Sequence, residues 1–249
     1  MEGYPAKADI VLTSGELGVF DTVVVLMKDY FFEVITACIS AKTKIEEMEE
    51  SSLSITFSKK EMDSLDGAID GAAIIGDVPE VIDVIKSVHE KIQEQGFTKG
   101  ESTICLFHET SRLWLSQKER NECVLSLDVH SELTDEIRCL LVSALLRIEP
   151  DRCTECKGFC NGGGKYEFTG DELWEIEGAL VGFSIRELEE DDMEQLVGDD
   201  LPFDSVDEYK QEVADGKSLL KKIRATKKKG EGVKYTDSDF DRRFKRKNS

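Results

Sequence analysis

Three cysteines fall within eight residues, Cys153-Thr-Glu-Cys156-Lys-Gly-Phe-Cys160, and Asn161-Gly-Gly-Gly164 follows at once. Thiolates at this spacing on a turn can share one soft metal ion. Zinc takes four ligands in a tetrahedron, and a Cys-x2-Cys turn offers two sulfurs at about 2.3 Å. Cys160 is the natural third ligand, because Gly158 and the glycines after Asn161 let the backbone turn. The fourth would be Asp151, Cys38, Cys105, His108, Cys123 or a residue of a second subunit. The competing readings are free surface thiols and a redox or iron–sulfur role. A redox Cys-x-x-Cys usually opens a helix, whose dipole lowers the thiol pKa, whereas this one follows a helical segment. The sequence therefore predicts zinc held by Cys153, Cys156 and Cys160.

A second group with chemical potential lies at the C-terminus. From Lys217 to Ser249 there are thirteen Lys or Arg against four Asp or Glu, a net of +9, so the preceding 216 residues carry −29 of the total −20. Lys227, Lys228 and Lys229, then Arg242, Arg243, Lys245, Arg246 and Lys247, suit salt-dependent phosphate contacts. Phe240 and Phe244, four apart, would share a face if this end folded as a helix, which suits docking into a partner's groove. These ten residues are the expected partner-binding set.

The other candidates carry less. Asn161-Gly-Gly-Gly-Lys165 lacks the Gly-x4-Gly-Lys-Ser/Thr spacing of a phosphate loop. His89, His108 and His130 have no helical ligand spacing, and no Ser, His and Asp converge. The cysteine phrase resembles one Cys-x-x-Cys-x-Gly-x-Gly unit of the zinc region of DnaJ-type chaperones over eight residues of 249. Those regions pair such units, and this chain has one, with Cys160 in a glycine position.

The elements that must position these groups read as α+β, an antiparallel sheet with packed helices. Thr22–Met27 and Tyr30–Ile39 are rich in β-branched and aromatic residues and read as a hairpin, with one long helix as the alternative. Ser54–Phe57 is a strand, and Ser58 with Glu61 forms a capping box that opens a helix at Lys59. Asp77 and Pro79 start a helix that runs to Gly96. Segments 103–109, 112–116 and 122–130 suggest a three-stranded meander. Thr134 is the expected cap of a helix whose Ile137, Leu140, Leu141, Ala144, Leu145 and Ile148 form one stripe. Residues 166–168 form a strand, Thr169–Glu172 opens a helix, and another helix runs over 206–223. No internal repeat is apparent.

The domain expectation is a body over 8–185 including the Cys-rich turn, an acidic linker over 186–204, a C-terminal helix over 205–225 and a basic disordered tail over 226–249. No uncharged stretch approaches the roughly 20 residues that span a bilayer, so no membrane role is expected. Seven cysteines, four of them single in apolar segments, fit a reducing compartment, cytoplasmic or nuclear. The expected role is a non-enzymatic binding or adaptor subunit of an assembly that contains nucleic acid or an acidic protein. The alternatives are a thiol- or metal-dependent enzyme at the cysteine turn, or a homo-oligomer formed through the 134–148 helix.

Overall fold

A Ser or Thr followed three residues later by Glu satisfies two orphan N–H groups at a helix start. This chain does so four times, at Thr13–Glu16, Ser58–Glu61, Ser116–Glu119 and Thr169–Glu172. In each box the Glu carboxylate accepts the Ser or Thr N–H at 2.6–2.8 Å. The Ser or Thr hydroxyl accepts the Glu N–H at 3.2–3.4 Å. The computed structural model describes residues 2–48, 54–75, 79–98, 105–155, 158–160, 162–182 and 205–229. It is predominantly helical with two-stranded antiparallel sheets, hence broadly α+β.

Each box joins a strand to a helix. Strand β2 (Lys7–Leu12) leads into α1 (Ser14–Glu46), and β3 (Ile55–Ser58) into α2 (Lys59–Ile75). Strand β6 (Thr110–Leu113) precedes α4 (Gln117–Ile148), and β7 (Gly164–Thr169) precedes α5 (Gly170–Gly182). The remaining elements are β1 (Glu2–Gly3), α3 (Pro79–Gln93), β4 (Gly96–Thr98), β5 (Cys105–Phe107), α6 (Val206–Ala225) and β8 (Lys228–Lys229).

Burial repeats with the boxes. The residue before each box is buried (Leu12, Phe57, Leu115, Phe168), and so is the one three before (Ile10, Ile55, Leu113, Tyr166). Seven residues after the box start lie Phe20, Leu65, Cys123 and Ile176, and eleven after lie Val24, Ile69, Leu127 and Leu180, all buried. Period two in the strand and 3.6 in the helix thus put one continuous face inward. Each buried aliphatic contributes roughly 1.5–3 kcal/mol.

A second signature ends four other helical segments, Ser-apolar-x-x-Lys/Arg-Ile. It occurs at Ser40–Ile45 in α1, Ser87–Ile92 in α3, Ser143–Ile148 in α4 and Ser218–Ile223 in α6. The apolar positions Ala41, Val88, Ala144, Leu219, Ile45, Ile92, Ile148 and Ile223 are buried. The chain is therefore a fourfold internal repeat, which corrects the reading of a non-repetitive sequence. Only scattered positions recur and the loops differ in length, so no fixed period marks it.

The chain divides into two compact units, Met1–Asp29 with Ile137–Lys234 (the terminal unit) and Tyr30–Glu136 with Tyr235–Ser249 (the central unit). Each holds two modules whose strands pair antiparallel in the same register. Ile10 faces Tyr166 in one and Ile55 faces Leu113 in the other, each three residues before its box. The central core gathers Cys38, Ile45, Phe57, Met62, Leu65, Ile69, Ile85, Val88, Leu113 and Leu127. In the terminal unit Gly163 (φ +93°) lies so close to β2 that a Cβ there would stand 2.0 Å from the Leu12 carbonyl oxygen, so glycine is required.

Three other expectations are corrected. The 22–39 hairpin is the middle of α1, because a capping box at Thr13 starts a helix that buries Phe20, Val23, Val24, Ala37 and Cys38. Segment 122–130 is helix rather than a third strand, since Cys123, Ser126 and Leu127 are buried at helical spacing after the Ser116 box. Thr134 lies inside α4 and its hydroxyl donates to the His130 carbonyl at 2.7 Å, so it caps nothing. The strand at 55–58, the Ser58 box, and the helices at 79–93, 170–182 and 206–225 lie where the sequence places them.

Candidate functional site

The two signatures meet. Each box glutamate receives the serine and the Lys or Arg of one Ser-x3-Lys/Arg segment. Ser40 and Lys44 bind Glu61, both at 2.6 Å. Ser87 binds Glu119 at 2.7 Å, with Lys91 on both oxygens at 2.6 and 2.7 Å. Ser143 binds Glu172 at 2.7 Å with Arg147 at 2.9 and 3.2 Å. Ser218 and Lys222 reach back to Glu16 at 2.7 and 2.5 Å, so the last helix completes the first box. All three lysines also donate to the carbonyl two residues before the box, at Val11, Thr56 and Trp114.

All four carboxylates are buried. Burial alone would raise each pKa, but the cation, the serine and the backbone N–H together hold all four below the ordinary carboxylate range. A Ser, a Lys and a Glu in contact invite a nucleophile reading. The geometry argues otherwise. Each serine donates to the carboxylate rather than to the lysine, the carboxylate oxygens are already engaged by several donors, and the same group recurs four times. It ties helix, strand and helix together within each module.

The predicted tail begins at a built anchor in the terminal unit. Tyr4 is buried and its ring meets Trp174 edge-on at 6.5 Å. Lys227 Nζ lies 5.0 Å from the Tyr4 ring and 5.9 Å from that of Trp174, contacts of cation–π type. Glu177 accepts from Tyr4, Arg224 and Lys227 at 2.6–2.7 Å. Burial pushes the Glu177 carboxyl up, and these three donors bring it net below its ordinary value. Lys228 and Lys229 form β8, which pairs with β1. Trp174 remains half exposed beside Lys227. Of the predicted partner-binding residues, Lys227 is thus spent on anchoring and Lys228 is exposed. Phe240, Arg242, Arg243, Phe244, Lys245, Arg246 and Lys247 lie outside the described residues, as does the whole 186–204 acidic linker.

The cysteine turn follows a short 3-10 turn, Glu149–Asp151, at the end of α4. The Cys153 N–H donates to the Gly158 carbonyl at 2.7 Å, closing the loop. Cys153 is half-buried and Cys160 exposed, while Cys156 lies outside the described residues. Cys38 and Cys123 sit in the core of the central unit, and burial raises their thiols to about 11 and about 12. The proposed oligomer seam is largely core, with Leu141, Ala144 and Ile148 buried and Leu146 exposed.

Two features escaped the sequence reading. A cleft of about 410 Å³, lined by Ile45, Met48, Arg120 and Val124 among others, opens where Arg120 replaces the Leu17, Met62 or Leu173 of the other modules. Asp66, Asp70 and His89 converge on another face of the central unit. Comparison of departures among the four modules is the signal that would have found both. No protein family, curated protein or solved structure matches this chain.

Proposed function

We propose that this protein is a non-enzymatic binding subunit of an intracellular assembly that includes nucleic acid or an acidic protein. Supporting it is one observation above all. The buried charged constellation that a catalytic reading would seize on occurs four times, with its donors and acceptors satisfied inside each module. A buried group that recurs four times, with arginine for lysine in one copy, serves as framework, and a framework of this kind suits a binding subunit. In this reading Cys153, Cys156 and Cys160 hold a structural zinc, with the closed 153–158 loop bringing the chain back on itself. The basic segment after Thr226 is the tether, rooted at Glu177, Tyr4 and Trp174.

Elemental analysis of unstripped full-length protein, combined with thiol titration, tests this against an enzyme using the same cysteines. The binding-subunit reading expects about one zinc per chain and thiols that react slowly until a chelator removes it. A metal-free protein with one fast-reacting, low-pKa thiol would favour chemistry at the turn instead.

A further inference from the structure

Helix α2 presents Asp66 and Asp70, four residues apart on one face, toward His89 of α3. The potential ligand atoms of all three lie within 4.8 Å of one another. His89 Nδ1 is 3.0 Å from an Asp70 oxygen, and Gln93 Nε2 donates to Asp66 at 3.2 Å. Burial and the neighbouring Asp70 raise the Asp66 carboxyl above its ordinary range. Negative charge is therefore held here against its own repulsion.

The internal repeat supplies a control within the same unit. Asp70 stands twelve residues after Ser58, and its counterpart twelve after Ser116 is Asp128. His89 stands two after Ser87, and its counterpart two after Ser40 is Lys42. Lys42 Nζ lies 2.8 Å from Asp128 and 3.7 Å from Glu46, so the equivalent junction between the same two modules holds a fixed cation at this position. On the α2–α3 side the ammonium is exchanged for an imidazole. A further carboxylate, Asp66, takes the position held by Val124 at the equivalent junction. In the terminal unit the matching positions are the apolar pairs Val25 with Leu145 and Val181 with Leu220. The fold therefore does not demand charge at this place. Where the equivalent junction holds an ammonium, this one holds an imidazole and one more carboxylate.

We propose that Asp66, Asp70 and His89 bind a divalent cation that clamps α2 to α3. Two carboxylates and one imidazole leave the other coordination positions to water, a donor set suited to Mn2+, Co2+ or Zn2+ rather than to soft ions. The site is separate in sequence and in ligand chemistry from the cysteine turn.

The test uses Mn2+ as probe on the full wild-type chain with its cysteines intact, and in parallel on a form carrying Cys153→Ser, Cys156→Ser and Cys160→Ser whose fold is first checked by circular dichroism, so that any thiolate contribution is identified. The chain has three histidines, so their NMR signals can be followed one by one. Mn2+ should broaden His89 well before His108 or His130, and calorimetry should find one site per chain. Asp66→Val and His89→Lys copy the equivalent junction, so both should keep the fold by circular dichroism. Each should weaken Mn2+ binding by about tenfold or more, since loss of a mere outer-shell partner already costs 10–100-fold. Asp83→Asn, which removes an acidic residue of α3 outside the cluster, should change nothing. Uniform broadening of all three histidines, binding equal in Asp66→Val and the parent, or no binding up to about 1 mM Mn2+ would overturn the proposal.

Discussion

Replacing Glu119 by Gln tests whether the repeated carboxylate holds a module together. Its side chain is 7% exposed and receives Lys91 on both oxygens, the Ser87 hydroxyl and the Ser116 N–H, all at 2.6–2.7 Å. Burial opposes its ionisation, yet these donors lower its pKa from 4.5 to about 2. At about 1.4 kcal/mol per tenfold change in ionisation constant, that is worth roughly 3 kcal/mol at neutral pH. Glutamine keeps the shape but turns an NH2 toward the lysine. Lys91 is 35% exposed and can swing partly into water, so the full cost of an orphaned buried charge is not incurred. The expected loss is about 2–4 kcal/mol. A lowered carboxylate pKa stabilises above the unfolded value and ceases to do so below the folded one. The gap between wild type and Glu119→Gln should therefore shrink as pH falls from about 5 toward 2. The chain has two tryptophans, Trp114 in the central unit and Trp174 in the terminal one. In a Trp174→Phe background, urea unfolding followed by Trp114 fluorescence reports the unit that holds Glu119. A loss below about 1 kcal/mol at pH 7, or a gap independent of pH, would refute the reasoning.

Leu141 is buried in α4, and Leu141→Ala should cost roughly 2–5 kcal/mol in urea unfolding read at Trp174. Glu175 carries the opposite sign from Glu119, because burial first and Asp171 second raise its pKa to about 7. Ionising it costs stability as pH rises from about 4.5 to 7, so Glu175→Gln should stabilise the protein at pH 8 and leave it unchanged at pH 4, checked by the same titration. Lys222→Met should speed amide exchange at Leu17–Val24, some 200 residues away in sequence, because α6 completes the first box through Glu16. Exchange changes confined to α6 would argue against that closure.

Much of the local grammar was legible in the chain. The Ser58 box, the Pro79 start, the Thr169 start and the periodicity of α6 each follow from a cap or an apolar stripe that local physics alone decides. Local pattern does not decide where two periods fit the same residues. In 122–130 alternation and helical spacing both fit, and Ser116 with Glu119, the same box signature as Ser58 with Glu61, was the deciding signal. In 22–39 β-branched and aromatic composition outweighed the period, and tertiary burial of Val23, Val24, Ala37 and Cys38 overrode it. The repeat hid for a different reason. Its invariant parts, a Ser-x3-Lys/Arg and a Ser/Thr-x2-Glu, stand 18, 29 and 26 residues apart in the three contiguous modules. In the fourth they are at opposite ends of the chain. The Asp66, Asp70 and His89 group was invisible for want of that repeat, since its meaning lies in the contrast with Lys42 and Val124.

The most direct test of the proposed role compares full-length protein with a form ending at Lys229, which keeps the Lys227 anchor and β8, for binding to a fluorescein-labelled single-stranded oligonucleotide, by anisotropy across a salt series. If the basic tail is the tether, full-length protein should bind weakly and without sequence preference. Its log affinity should fall linearly with log salt, and the truncated form, left with the acidic body, should not bind. Equal binding by the two forms, or none by either the full-length protein or its Phe240→Ala/Phe244→Ala variant at low salt, would contradict a nucleic-acid tether.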